Sequence, residues 1–144
     1  MKRSTNSLLN KASLIFALSL IFTYAAAAQN TQAQKPVLNK YAVENILLGI
    51  NSESEGVRKA TINLAGQFEL DQAVDLLIEQ LKEEKIPELR ILIAQSLYKI
   101  GNDKGLDVIY TNALSENDPN VKRMCNDLVK EYAAKKGIIV PSEN

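Results

Sequence analysis

The chain has 144 residues, with 17 basic and 17 acidic side chains, one cysteine and no histidine. Without histidine it lacks the commonest general base, the usual triad partner and the commonest zinc ligand, and one cysteine cannot complete a transition-metal site. Neither catalysis, a metal nor a cofactor is therefore expected, and the six glycines, at 49, 56, 66, 101, 105 and 137, stand singly rather than in a phosphate-cradling loop.

Lys2, Arg3 and Lys11 make a basic opening, and an uncharged apolar run then extends from Ala12 through Ala28. That is 17 residues, short of the roughly 20 that cross a bilayer core. Ala26-Ala27-Ala28 before Gln29 supplies the small residues a signal peptidase needs. Residues 1–28 read as a cleaved signal peptide, with Ala33, preceded by Thr31, as a second candidate end. The alternative is an uncleaved anchor, which keeps the domain outside the cytoplasm but tethered. No cysteine adjoins the run to carry a lipid. The expected product is exported, periplasmic or secreted, with no stable membrane span after cleavage. Cleavage leaves 14 basic against 17 acidic residues, a net charge of −3, which argues against a nucleic-acid partner.

Residues 29–37 are polar, lack an apolar period and carry Pro36, and read as a flexible leader. From Leu38, the residues Tyr41, Ala42, Asn45, Ile46, Leu48 and Gly49 mix with Val43, Leu47 and Ile50 in a helical pattern, giving a first helix. Ser52-Glu53-Ser54-Glu55 is a turn with a serine N-cap. The second helix runs from about Glu55 to Phe68, and Val57, Ala60, Thr61, Leu64, Ala65 and Phe68 define its expected core face. Asp71 is expected to cap a third helix, whose Ala73, Val74, Leu76, Leu77, Ile78 and Leu81 are apolar enough for a sandwiched position. Pro87 suits the first turn of a fourth helix ending before Gly101. Asn102 or Asp103 caps a fifth, and Asp118-Pro119 opens a sixth that ends at Gly137. Ile138-Ile139-Val140 reads as a tail on the last helix. The turns are short, so successive helices are antiparallel neighbours.

The stretch from Val57 to Tyr132 repeats itself at a spacing of 32 residues. Val57-Arg58, Leu89-Arg90 and Val121-Lys122 fall in register, as do Thr61, Ile93 and Cys125, and Phe68, Ile100 and Tyr132. A sustained period of this length signals stacked supersecondary units. The expected fold is all-α, a short right-handed α-solenoid of about three antiparallel helix pairs over residues 38–136, with residues 137–144 as a tail. Cys125 shares its register position with Thr61 and Ile93, which makes it a buried small apolar side chain.

The dipeptides opening each second helix, with Leu97-Tyr98-Lys99-Ile100-Gly101 closing the middle one, resemble HEAT-like repeats of the short bacterial kind also seen in phycobilisome lyases. In the first repeat that ending reads Ala65-Gly66-Gln67-Phe68-Glu69, and in the third it runs from Val129 to Ala133 with neither glycine. The resemblance implies a structural ladder, the basic residue of each second helix pairing with an acid in the turn six residues before it. Glu84 before Arg90 and Glu116 before Lys122 fit, whereas Arg58 has Ser52 there.

Acid pairs such as Glu53 with Glu55, Glu83 with Glu84, and Asp103 with Asp107 lie in turns or helix starts, where acids are expected for capping. Asp75 and Asp107 share a register position among apolar residues and suit a bond to a neighbouring helix. Second helices of a solenoid line its binding surface, and on them the residues left over from the core are Lys59, Ile62, Asn63 and Gln67, then Ile91, Ala94, Gln95, Tyr98 and Lys99; an outward face that holds Ile62, Ile91, Ala94 and Tyr98 together is expected to touch something, and Lys59, Ile62, Asn63, Ile91, Gln95 and Tyr98 stand out. These form the candidate partner-binding set, unless Ile62 and Ile91 only widen the contact between neighbouring second helices. The third repeat offers the polar set Arg123, Asn126, Asp127, Lys130 and Glu131, which suits a terminal cap. The expected function is a non-catalytic module that binds a protein or peptide. The resemblance also implies an alternative, an enzyme or enzyme accessory of the bilin-lyase type.

Overall fold

The computed structural model describes residues 37–138, and the signal-peptide expectation and most of the leader lie outside them. Six α-helices follow one another: α1 (Lys40–Ile50), α2 (Glu55–Gln67), α3 (Val74–Glu83), α4 (Pro87–Ile100), α5 (Asp103–Ser115) and α6 (Pro119–Lys136), with a 3-10 turn, Asp71–Ala73, leading into α3. Their boundaries have local causes. Asn39 accepts from the Ala42 amide at 2.8 Å, Asn102 from that of Lys104 at 2.9 Å, and Asp118 from those of Asn120 and Val121, so three N-termini are closed by side-chain caps. Pro87 and Pro119 occupy first-turn positions, where a missing N–H costs nothing. Gly101 and Gly137 end α4 and α6 at φ of 73° and 68°, a left-handed conformation that glycine adopts freely. In the first repeat Glu69 takes the register position of Gly101 and adopts φ 53° without that freedom.

Two expected caps are corrected. Ser54 is the N-cap of α2 but makes no side-chain capping bond; the Ser52 hydroxyl accepts from the Ser54 amide instead. Asp71 opens the 3-10 turn rather than α3, and its carboxylate accepts from the Asn102 amide group at 2.7 Å. Of the expected tail, Ile138 is exposed, its amide donating to the Ala133 carbonyl of α6, and Ile139 and Val140 lie outside the described residues.

The helices form two layers. The first helices of the pairs, α1, α3 and α5, make one; the second helices, α2, α4 and α6, make the other, with α4 packed between α2 and α6. The core lies between the layers and is built from Ile50, Leu77, Ile93, Leu97, Ile109, Val121 and Cys125, all sealed from solvent. α3 buries Val74, Leu77, Ile78 and Leu81 against three neighbouring helices, as its wide apolar face requires. The face of α2 is rotated from the expected one. Thr61, Ile62, Ala65 and Gly66 are its buried residues, whereas Val57 and Ala60 are exposed. In α4 and α6 the register positions of Val57 are Leu89 and Val121, both buried, and each of those helices packs on a preceding second helix, which α2 lacks among the described residues.

Candidate functional site

The ladder is present with its direction reversed. Arg58 pairs with Glu84 through Nε at 2.9 Å, and Arg90 pairs with Glu116, each basic residue reaching 26 residues forward to the turn of the next repeat. The expected pairs Glu84 with Arg90 and Glu116 with Lys122 do not form; Lys122 donates to the Leu114 carbonyl at 3.2 Å. The geometry explains the choice. One Glu84 oxygen accepts the amides of Lys85 and Ile86, tying the carboxylate into its own turn, while the other faces Arg58 and Gln80. Glu116 repeats this with the amides of Asn117 and Asp118. Arg58 Nη1 also holds the carbonyls of Ser52 and Glu53, so the place where a preceding acid would bind is taken by backbone. Burial of Glu84 favours its neutral form, but the bonds from Arg58, Ile86 and Gln80 outweigh this and hold its carboxyl below the usual range. Arg90 is less well served, its Nε being buried without a partner. These residues are internal braces between repeats, not a ligand site.

The candidate binding residues divide in the same way. Ala94 is buried in the core, and Ile62, likewise 0% exposed, is no part of the surface set. Its carbonyl accepts from the Ser96 hydroxyl at 2.9 Å. Lys59 and Asn63 are exposed, and Ile91, Gln95 and Tyr98 are half-exposed. Through the 32-residue register they line up as two rows across the second-helix layer, Lys59 with Ile91 and Arg123, then Asn63 with Gln95 and Asp127. Gln95 bridges α4 to α6 through the Met124 sulfur at 3.6 Å.

Tyr98 is both wedge and surface. It occupies the register position of Gly66, where a Cβ would stand 2.8 Å from the Ser96 backbone, so α2 and α4 touch closely while the Tyr98 ring sits between α4 and α6. Its hydroxyl accepts from Lys135 at 3.0 Å, and the ammonium lies 5.1 Å from the ring centroid. Lys135 also pairs with Glu131 at 2.7 Å. These hydrogen bonds, Lys135 with Glu131 first, hold the lysine above its ordinary pKa and the glutamate below. Two hollows share Tyr98 and Tyr132 as walls: one of about 530 Å³ rimmed by Lys99, Lys135, Lys136 and Glu69, and one of about 190 Å³ lined by Leu106, Ile109, Tyr110 and Leu128. The residues around Tyr132 and the smaller hollow were missed from the sequence, because their spacing is that of core positions.

Charge is segregated between the layers. The helices α2, α4 and α6 hold nine basic and four acidic residues. The layer of α1, α3, α5 and the 3-10 turn holds three basic and seven acidic ones. Asp75 meets Lys104 on that acidic side, as a bond between neighbouring first helices. Among the described residues no cluster of acidic and cysteine side chains is placed to hold a metal ion, and no helix is long and apolar enough to cross a membrane. Cys125 is buried, its thiol pushed up to about 11 by desolvation and by the nearby Glu116 charge.

A periodic stack of antiparallel helix pairs with one helix layer facing outward defines an α-solenoid, a class that presents extended binding surfaces. A family profile described as HEAT repeats matches residues 43–127, more than half of the chain, and the protein belongs to that family. HEAT repeats generally serve as protein-interaction scaffolds. No curated protein and no solved structure matches the chain.

Proposed function

We propose that this protein is an exported, non-catalytic scaffold that holds a protein or peptide partner against the layer formed by α2, α4 and α6. The observation that carries the reading is the pair of rows on that layer. An apolar side chain, Ile91, packs partly against the core and keeps the rest of its surface open at the centre of the stack, where the flanking repeats carry the exposed Lys59 and Arg123. Apolar surface ringed by charge is the usual anatomy of a protein contact. The basic excess of the layer favours a partner with an acidic surface, so affinity should fall as salt rises. Export is supported by the basic opening, the apolar run and the small residues before Gln29. Cleavage at that point predicts a mature N-terminus at Gln29.

The test is site-specific photocrosslinking in the producing cell, with a photoreactive residue at Lys59, Gln95 or Asp127, and controls at Glu79 and Lys82 on the opposite layer. Adducts at the first three positions and none at the controls are expected. Adducts confined to the controls, or none at all, would refute the reading. Recovery of the protein in the cytosol with Met1 still present would refute export.

A further inference from the structure

The two rows on the second-helix layer leave one corner unaccounted for, at the C-terminal ends of α4 and α6, where the two hollows meet. The smaller hollow, about 190 Å³, has Tyr98, Tyr110 and Tyr132 among its walls, with Leu106, Leu128 and Val129, and its one charged residue, Asp107, is exposed. An apolar cavity of about 150 Å³ accepts benzene, so this hollow has room for a single aromatic side chain. Three tyrosines in its wall favour a ring there, through offset and edge-to-face contacts. The larger hollow, about 530 Å³, runs from Gly66 and Gln67 at the end of α2 to Lys136, and carries Lys99, Lys135 and Lys136 against one acid, Glu69. A lysine in the last turn of a helix is ordinary, since it faces the carbonyl end. Here two of the ammonium groups are drawn onto the shared wall, Lys135 at 5.1 Å from the Tyr98 ring centroid and Lys136 at 5.8 Å from that of Tyr132. Lys99 and Lys136 have no ion-pair partner among the described residues.

We infer that the paired hollows receive an acidic segment of the partner protein, one aromatic side chain entering the smaller hollow while neighbouring carboxylates meet Lys99 and Lys136 in the larger. The inference rests on the scaffold reading above and narrows it from a layer to a place and from an acidic surface to an acidic segment with an aromatic anchor. Charge decides the flanks of that segment. Lys99 and Lys136 are the cations left to pair, since Lys135 is already held by Glu131 and the Tyr98 hydroxyl. Lys135 instead fixes the ring that divides the hollows. The basic cluster alone would take any anion and the apolar pocket alone any small hydrophobe. A polypeptide that carries a ring between carboxylates satisfies both sides of the shared wall at once, and a buried aromatic anchor ringed by charge pairs is how a few residues supply most of a contact's affinity.

The probe is a dye-labelled pentapeptide, Asp-Asp-Phe-Asp-Asp, titrated with the purified protein from about 1 µM to about 1 mM and followed by fluorescence anisotropy. Saturable binding that weakens as salt rises is expected. Replacing the phenylalanine by alanine, or the aspartates by asparagine, should weaken it about fivefold or more, and so should Lys99→Glu and Lys136→Glu, both at exposed positions. Lys59→Glu changes the charge of the layer equally but lines neither hollow, and should leave the affinity within about twofold. In NMR spectra of the labelled protein the peptide should shift the amides of Leu106, Val129 and Lys136. No binding in this range overturns the inference. Equal losses in Lys59→Glu and Lys136→Glu would show diffuse attraction to the layer, and 3-phenylpropionate binding as tightly as the peptide would show a small-molecule pocket; either overturns it. Overhauser contacts from residues 139–144 to the Tyr98 or Tyr132 ring in the peptide-free protein would show the chain occupying its own hollow, and overturn it too. Photocrosslinking in the cell is a separate readout. Adducts at Lys59 or Gln95 with no peptide bound would refute the hollows and keep the scaffold, whereas a bound peptide with no adducts in the cell would refute the scaffold reading.

Discussion

The close approach of α2 to α4 rests on the missing side chain of Gly66, and Gly66→Ala measures what that contact is worth. An alanine Cβ would lie 2.8 Å from the Ser96 Cα and Cβ and 2.7 Å from its Oγ, against 3.4–4 Å for ordinary contact. The obstacle is backbone, so the helices must move apart. Ser96 is 1% exposed and its hydroxyl donates to the Ile62 carbonyl, a bond the movement stretches. Overpacking and a weakened buried hydrogen bond each cost about 1–3 kcal/mol, while alanine recovers about 1 kcal/mol of helix propensity, for a net loss of about 1–5 kcal/mol, centred on about 3 kcal/mol. In a domain of this size that lowers the melting temperature on the order of 10 °C. Two other glycines serve as controls. At Gly105 the added Cβ meets the Leu97 side chain at 3.2 and 3.4 Å for Cδ2 and Cβ, and the Leu97 carbonyl oxygen in ordinary contact at 3.7 Å, so Gly105→Ala should stay within about 1 kcal/mol of the parent. At Gly56 it meets nothing within 4 Å, and Gly56→Ala should stabilise by up to about 1 kcal/mol. Thermal and urea denaturation followed by circular dichroism rank the three. A Gly66→Ala protein as stable as Gly105→Ala would refute the argument.

Leu97, sealed in the core, should cost about 2–5 kcal/mol on truncation to alanine, and half-buried Leu106 distinctly less; urea melts showing the two equal would contradict the burial pattern. Arg58→Met strands the buried Glu84 carboxylate and should destabilise by about 3 kcal/mol. Arg90→Met should cost less, since one of its nitrogens already lacks a partner. Because Glu84 titrates below its ordinary value of 4.5, its contribution is complete above that pH and is lost as pH falls through the folded value. Melting temperature should therefore fall more steeply in acid for the parent than for Glu84→Gln, and parallel curves would be evidence against the coupling. Cys125, with its thiol raised to about 11, should resist iodoacetamide at pH 8 in the folded protein and react once urea unfolds it, as mass spectrometry would show.

Most of the architecture was legible in the sequence because one relation, the 32-residue offset, constrains many residues at once. Helix number, the short turns, the Pro87 and Pro119 entries and the Gly101 and Gly137 exits each have a local cause confined to a few residues. What failed needed knowledge of neighbours. The expected core face of α2 took its apolar residues at face value, although Val57 and Ala60 belong to a face with no neighbouring second helix among the described residues and Ile62 is buried. The direction of the ladder was ambiguous in principle. In a chain repeating every 32 residues, an acid six positions before one basic residue is 26 positions after the previous one, and spacing is the same in either case. Only the amides that bind Glu84 and Glu116 from within their own turns decide it.

The same reasoning shows why the candidate surface is uneven along the stack. The register position that reads Gly66, Tyr98 and Lys130 controls how each second helix meets the next. Glycine lets α2 approach α4 closely at Ser96, and Lys59 and Asn63 stay exposed on α2. Tyrosine fills the next gap with a ring held by Lys135, and two hollows open beside that ring, the larger one walled also by Gly66 and Gln67 at the end of α2. Lysine at the third position has no following helix to meet among the described residues and stays in solvent. A substitution that makes the second gap like the first, Tyr98→Gly, would therefore do more than remove an aromatic contact. It would free Lys135 from the hydroxyl, take a shared wall from both hollows and leave the α4–α6 contact underfilled, so the loss should register in stability as well as in binding. Tyr98→Phe keeps the wedge and removes only the hydroxyl. That variant separates the ring's part in the surface from its part in the packing.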